Sequence, residues 1–74
     1  MAELPHISGR EAVKAFERLG FAAVRQKGSH VVLRRGDQGC VIPMHKELAV
    51  GTLRGAIRQA GITVDEFVSA HQEG

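Results

Sequence analysis

The residues best suited to chemistry lie together in one short segment, Lys27-Gly28-Ser29-His30. Histidine titrates near neutral pH, so a neutral imidazole at His30 could take a proton from a hydroxyl group. Glycine allows a tight turn, and Lys27, with Arg25 and Arg34 nearby, could hold a phosphate. The segment predicts a general base beside an anion-binding surface. The same spacing also fits a strand-end histidine that only hydrogen-bonds to a neighbouring strand.

His45 and the adjacent Lys46 are secondary candidates, in the loop after Pro43-Met44. If the His45 ring approached His30, the two imidazoles could divide the acid and base roles, but the sequence does not determine that distance. The alternative is a loop histidine in water or at a helix end.

Cofactor chemistry is not indicated by the cysteine and histidine spacing. The chain contains no CxxC or HxxxH motif and no accompanying carboxylate cluster, so we predict no metal and no other cofactor. Cys40 lies in an apolar segment, where a thiol is usually inert packing. As the only cysteine it cannot form an intrachain disulfide, which favours a reducing cytoplasm.

The charge distribution is more informative than the net charge of +2. Seven of the ten basic residues are arginine, whose planar guanidinium suits phosphate. Four basic residues and no acidic one fall between positions 25 and 35, namely Arg25, Lys27, Arg34 and Arg35. A polyanionic partner is one interpretation, and a solvated sheet surface is the other.

Capping motifs and residue alternation predict the elements that position these side chains. Ser8-Gly9-Arg10-Glu11 and Thr63-Val64-Asp65-Glu66 are capping boxes that start helices. The expected order is a helix over about 9–19 capped by Gly20, strands over 21–26, 30–35 and 40–42, a helix from Gly51-Thr52 to Gly61, and a final helix to about Ala70. Along the second strand, Val31 and Leu33 share one face, and His30, Val32 and Arg34 share the other.

This order predicts an α+β fold in which helices cover one face of a three-stranded antiparallel sheet. With 74 residues, we expect a single domain over positions 1–74. The first ten residues lack a signal-peptide pattern, and no apolar run approaches the length of a membrane span. We therefore expect a soluble cytoplasmic protein that does not associate with membranes.

Taken together, these segments resemble the HicA family, also called YcfA-like, the toxin half of a bacterial type II toxin–antitoxin pair. No single motif is specific, but their ordered set is. The set consists of Gly20-Phe21, Lys27-Gly28-Ser29-His30, Pro43-Met44-His45, Gly51-Thr52-Leu53-Arg54 and Gln59-Ala60-Gly61-Ile62. The departures are a short turn, Gly36-Asp37-Gln38-Gly39, and a cysteine at position 40.

The resemblance implies a double-stranded-RNA-binding-domain-like fold, metal-independent cleavage of messenger RNA, and a HicB-type antitoxin that blocks the active site. It assigns the catalytic role to His30. The residues expected to contact RNA are Arg25, Lys27, Gly28, Ser29 and Arg34. Two other classes remain open: a small RNA-binding domain without catalysis, and a protein-interaction domain whose basic face meets an acidic partner.

Overall fold

Three antiparallel strands and three helices make up the fold in a computed structural model that describes residues 3–73. The sheet has the order β1-β2-β3, with β2 in the centre. The elements are α1 (Gly9–Arg18), β1 (Ala22–Lys27), β2 (His30–Arg35), β3 (Gln38–Pro43), α2 (Val50–Ala60) and α3 (Val64–Gln72). The architecture is the predicted α+β arrangement, and its α-β-β-β-α-α order is that of a double-stranded-RNA-binding-like fold.

Both predicted capping boxes are present. The Ser8 Oγ accepts a 3.1 Å hydrogen bond from the Glu11 N–H, and the Ser8 N–H donates to the Glu11 carboxylate. These hydrogen bonds hold the pKa of Glu11 below its ordinary value. Thr63 and Glu66 exchange equivalent bonds of 3.0 and 2.8 Å at the start of α3. Local chemistry alone therefore specifies where these two helices begin.

Several predicted boundaries differ from the structure, the first of them at the start of α2. Helix α2 begins at Val50, its N-cap is Ala49, and no side chain caps it, so Thr52 lies within the first turn. Strand β3 is longer than the predicted 40–42, because Gln38 already pairs with Arg35 of β2. Helix α3 runs to Gln72. The length of β3 follows from its pairing with β2 rather than from local propensity.

The hydrophobic core lies between the helices and one side of the sheet, which we call the inner face. The strands contribute Val31, Leu33, Cys40 and Ile42 to it, all buried. The Phe16 ring lies 5.3 Å from Phe21 and 5.2 Å from Phe67, measured between centroids. The helices thus cover the inner face and leave the opposite side of the sheet uncovered.

The start of α1 packs directly on the end of β3. The Gly9 N–H donates a 2.9 Å hydrogen bond to the His45 carbonyl. A Cβ at Gly9 would collide with the Pro43 carbonyl oxygen and would lie 2.8 Å from the Met44 Cα. Glycine at position 9 therefore permits a backbone contact that no other residue allows without displacement.

Replacement of glycine by alanine should have opposite effects on stability in α1 and in α2. Gly9→Ala should lower the free energy of unfolding by about 1–3 kcal/mol, because the added methyl group overpacks a rigid backbone. Gly55→Ala should raise it by about 0.5–1 kcal/mol, because alanine is the better helix former and the space at Gly55 is open. Urea unfolding of both variants measures the difference. A stabilised Gly9→Ala protein would contradict the close approach.

Candidate active site

The uncovered side of the sheet carries most of the predicted site residues. We call it the open face; its side chains include Arg25, Lys27, His30, Val32, Arg34 and Val41. Along β2, side chains alternate, so His30, Val32 and Arg34 lie on the open face and the buried Val31 and Leu33 lie on the inner face. Val41 lies opposite Val32 and is 41% exposed. The open face is a row of apolar and basic side chains on a hydrogen-bonded sheet.

The basic residues of β1 lie between a bulge and the β1–β2 turn, on the open face. The register with β2 shifts at Val24, which is the extra residue. After the shift, Arg25 lies opposite Val32 and Lys27 lies opposite His30. The two-residue turn at Gly28-Ser29 sets this register, so Lys27 and Arg25 face the same side of the sheet as His30. The bulge changes the register only for Ala22 and Ala23, at the start of β1.

His30 lies between two neighbours in one row of the sheet. Lys27 of β1 pairs with it on one side, and Pro43 of β3 pairs with it on the other. The imidazole is exposed, so a ligand on the open face can reach it. In this position His30 has the access to a substrate hydroxyl that a general base requires.

The turn before His30 consists of Gly28 and Ser29, both exposed. Gly28 has a φ of 60°, a conformation that favours glycine. The Gln26 side-chain amide donates a 3.2 Å hydrogen bond to the Gly28 carbonyl. The small side chains at the turn leave room for a phosphate backbone to approach His30.

One of the four clustered basic residues, the half-buried Arg35, is engaged by other parts of the fold rather than by the site. The Arg35 guanidinium donates a 2.7 Å hydrogen bond to the Leu19 carbonyl and another to the Gln38 side chain. It also lies 4.5 Å over the centroid of the Phe21 ring. Arg35 therefore joins the sheet to the end of α1, and the open face retains Arg25, Lys27 and Arg34.

His45 and Lys46 are exposed and lie in the loop after β3, beyond Met44. The Met44 N–H donates a 2.6 Å hydrogen bond to the Ser29 carbonyl, which joins this segment to the β1–β2 turn. The structure thus brings the segment containing His45 to the same end of the sheet as His30, a proximity that the sequence alone does not determine.

Cys40 is separated from the open face. It lies on the inner face with 4% of its surface exposed, and burial raises the pKa of its thiol to about 11. Within residues 3–73, no three histidine, cysteine or acidic side chains are grouped closely enough to hold a metal ion. Among the helices of the same residues, none combines the length and apolarity of a membrane span.

The buried thiol should be protected from alkylation. Its raised pKa makes the thiolate scarcer at pH 8 than in the unfolded chain, and the inner face excludes reagent. We expect iodoacetamide to modify Cys40 slowly in buffer, and the rate to rise with urea across the unfolding transition. Mass spectrometry of timed samples measures this. Equal rates in the native and unfolded chains would contradict the burial.

Comparison with known proteins identifies the family. The family model described as "HicA toxin of bacterial toxin-antitoxin" matches residues 9–62, which run from the first residue of α1 past the end of α2. A search of curated proteins finds no match. The matched region contains the whole sheet, the bulge, the turn and His30. The chain belongs to the HicA family, the toxins of bacterial toxin–antitoxin systems.

Proposed function

We propose that this toxin is an endoribonuclease that cleaves messenger RNA in the cytoplasm by metal-independent transesterification, with His30 as the general base. The observation that carries the proposal is the exposed imidazole in line with Lys27, on a face that also bears Arg25 and Arg34. Membership of a toxin family supports a reaction that harms the cell.

The proposed reaction uses a nucleophile that RNA itself supplies. Neutral His30 takes the proton of a ribose 2′-hydroxyl, and the oxygen attacks the adjacent phosphorus. The bond from phosphorus to the 5′-oxygen then breaks. The products are a 2′,3′-cyclic phosphate and a 5′-hydroxyl end, so the protein needs only to move protons and hold the phosphate.

The basic side chains of the open face would hold the RNA backbone. Arg25 lies opposite Val32, one same-face position, or about 7 Å, along the strand from the row of His30. Its guanidinium and that of Arg34 can each donate paired hydrogen bonds to phosphate oxygens. Lys27, Gly28 and Ser29 would contact the phosphate next to the scissile bond, with the Ser29 hydroxyl donating to a non-bridging oxygen.

A HicB-type antitoxin is the proposed protein partner. The open face combines the half-buried Val32 and the exposed Val41 with basic residues around His30. A protein that covered the apolar pair with acidic groups at its rim would exclude RNA from the same surface. Inhibition would then need no change in the toxin's own structure.

Replacement of His30 should separate catalysis from binding. In buffer containing EDTA, we expect the wild-type protein to cut RNA and His30→Ala to cut it about 10²–10⁴-fold more slowly. RNA affinity should change little, because the arginines and Lys27 remain. Denaturing gels and fluorescence anisotropy measure the two quantities, and expression of His30→Ala should not arrest growth.

His71→Ala is the matched control, because His71 lies on α3 in the helical layer. It should retain full cleavage. Undiminished cleavage by His30→Ala would remove this residue from the mechanism. A wild-type protein that bound RNA without cutting it would instead indicate a non-catalytic RNA-binding domain.

A further inference from the structure

We propose that His45 is the general acid of the same reaction and protonates the departing 5′-oxygen. This assignment rests on the ribonuclease function proposed above and names the second proton-transfer group that the reaction requires. It comes from the pairing of β2 with β3 and from the chain that follows Pro43.

The pairing of the two strands continues one residue beyond β3. His30 pairs with Pro43, and the Met44 N–H then donates to the Ser29 carbonyl at 2.6 Å. Proline has no N–H, so His30 and Pro43 form a non-hydrogen-bonded pair, the type in which facing Cα atoms are only about 4.5 Å apart. Pro43 therefore costs the sheet no hydrogen bond and adjoins His30 closely.

The packing of Met44 shows on which side of the sheet Met44 and His45 lie. Met44 is half-buried and packs against the hydrophobic core, and so lies on the inner side. Because successive side chains of an extended chain alternate, His45 returns to the side of Pro43 and His30. This continued pairing makes His30 and His45 diagonal neighbours, and diagonal neighbours in antiparallel pairs generally lie about 7–8 Å apart.

A hydrogen bond holds the backbone of His45 in place, whereas its side chain is exposed. The His45 carbonyl accepts the 2.9 Å hydrogen bond from the Gly9 N–H, and the missing Cβ of Gly9 allows α1 to approach this closely. The imidazole itself is exposed. A fixed backbone with an accessible ring suits a group that must meet one substrate atom in a defined position.

Two imidazoles at this separation can serve both oxygens of one phosphodiester. His30 accepts the proton from the 2′-oxygen as its bond to phosphorus forms. The His45 imidazolium gives its proton to the 5′-oxygen as the bond from phosphorus to that oxygen breaks. The protein ends with His30 protonated and His45 neutral, and proton exchange with water restores the starting state.

Lys27 is the competing donor, because it lies beside His30 on the other side of the row. A lysine ammonium gives up its proton far less readily than an imidazolium near neutral pH. Lys27 is better suited to hold the phosphate, and the acid role falls to His45.

A sulphur-substituted substrate tests the assignment. The linkage that the wild-type protein cuts is first mapped on an RNA oligonucleotide, and the bridging 5′-oxygen of that linkage is then replaced by sulphur. A thiolate departs without protonation, so the loss of a general acid should matter little for this substrate. We expect His45→Gln to cut ordinary RNA about 10²–10⁴-fold more slowly than wild type, yet to cut the sulphur substrate within a few-fold of wild type.

The comparison variants identify each role. His30→Gln should be slow on both substrates, and His71→Gln should match wild type on both. Thermal unfolding of His45→Gln should match wild type, because only the backbone of His45 is engaged. Equal losses on the two substrates, or undiminished cleavage of ordinary RNA, would overturn the proposal, and sulphur rescue of Lys27→Gln would transfer the role to Lys27. Failure of the wild-type protein to cut either substrate would instead refute the nuclease function.

Discussion

Strand β2 holds the candidate site together, because its backbone hydrogen bonds fix a neighbour on each side of His30. Lys27 is paired with it from β1 and Pro43 from β3. A slip of one residue in either pairing would turn the partner side chains to the other face of the sheet. The site therefore depends on strand register more than on any hydrogen bond between its own side chains.

The core determines what kind of recognition the open face can perform. The chain has three phenylalanines and neither tryptophan nor tyrosine, and all three rings are buried. No phenylalanine, tyrosine or tryptophan ring is left to stack on exposed bases, as such rings do in many proteins that bind single-stranded RNA. In the proposed function, recognition then comes from phosphate contacts by arginine and lysine, with Val32 and Val41 against the sugars.

Local chemistry accounts for the features that the sequence predicts well. The capping boxes at Ser8 and Thr63 need only residues three apart, and the two faces of β2 need only alternation. The bulge at Val24 has no such local signal, because it exists only in relation to β2. The full length of β3 likewise depends on its pairing with β2.

The position of Arg35 on the inner face could have been predicted from the alternation along β2, but its charge grouped it with the open-face residues. It follows Val31 and Leu33 at alternating positions, and this pattern places it on the inner face, where it stacks on Phe21. Grouping basic residues by proximity along the chain overlooked that alternation. The proposed role of His45 depends on the structure, since the hydrogen bond from Met44 to Ser29 shows that the pairing continues beyond Pro43.

The chemistry at the scissile bond provides the most direct test. An RNA with a single 2′-deoxy nucleotide at the cleaved position can be incubated with the protein in EDTA, beside the all-ribose RNA, and the ends analysed by mass spectrometry. The proposed transesterification predicts 2′,3′-cyclic phosphate and 5′-hydroxyl ends from the all-ribose RNA and no cutting at the deoxy position. Cleavage at the deoxy position, or 5′-phosphate ends, would contradict it.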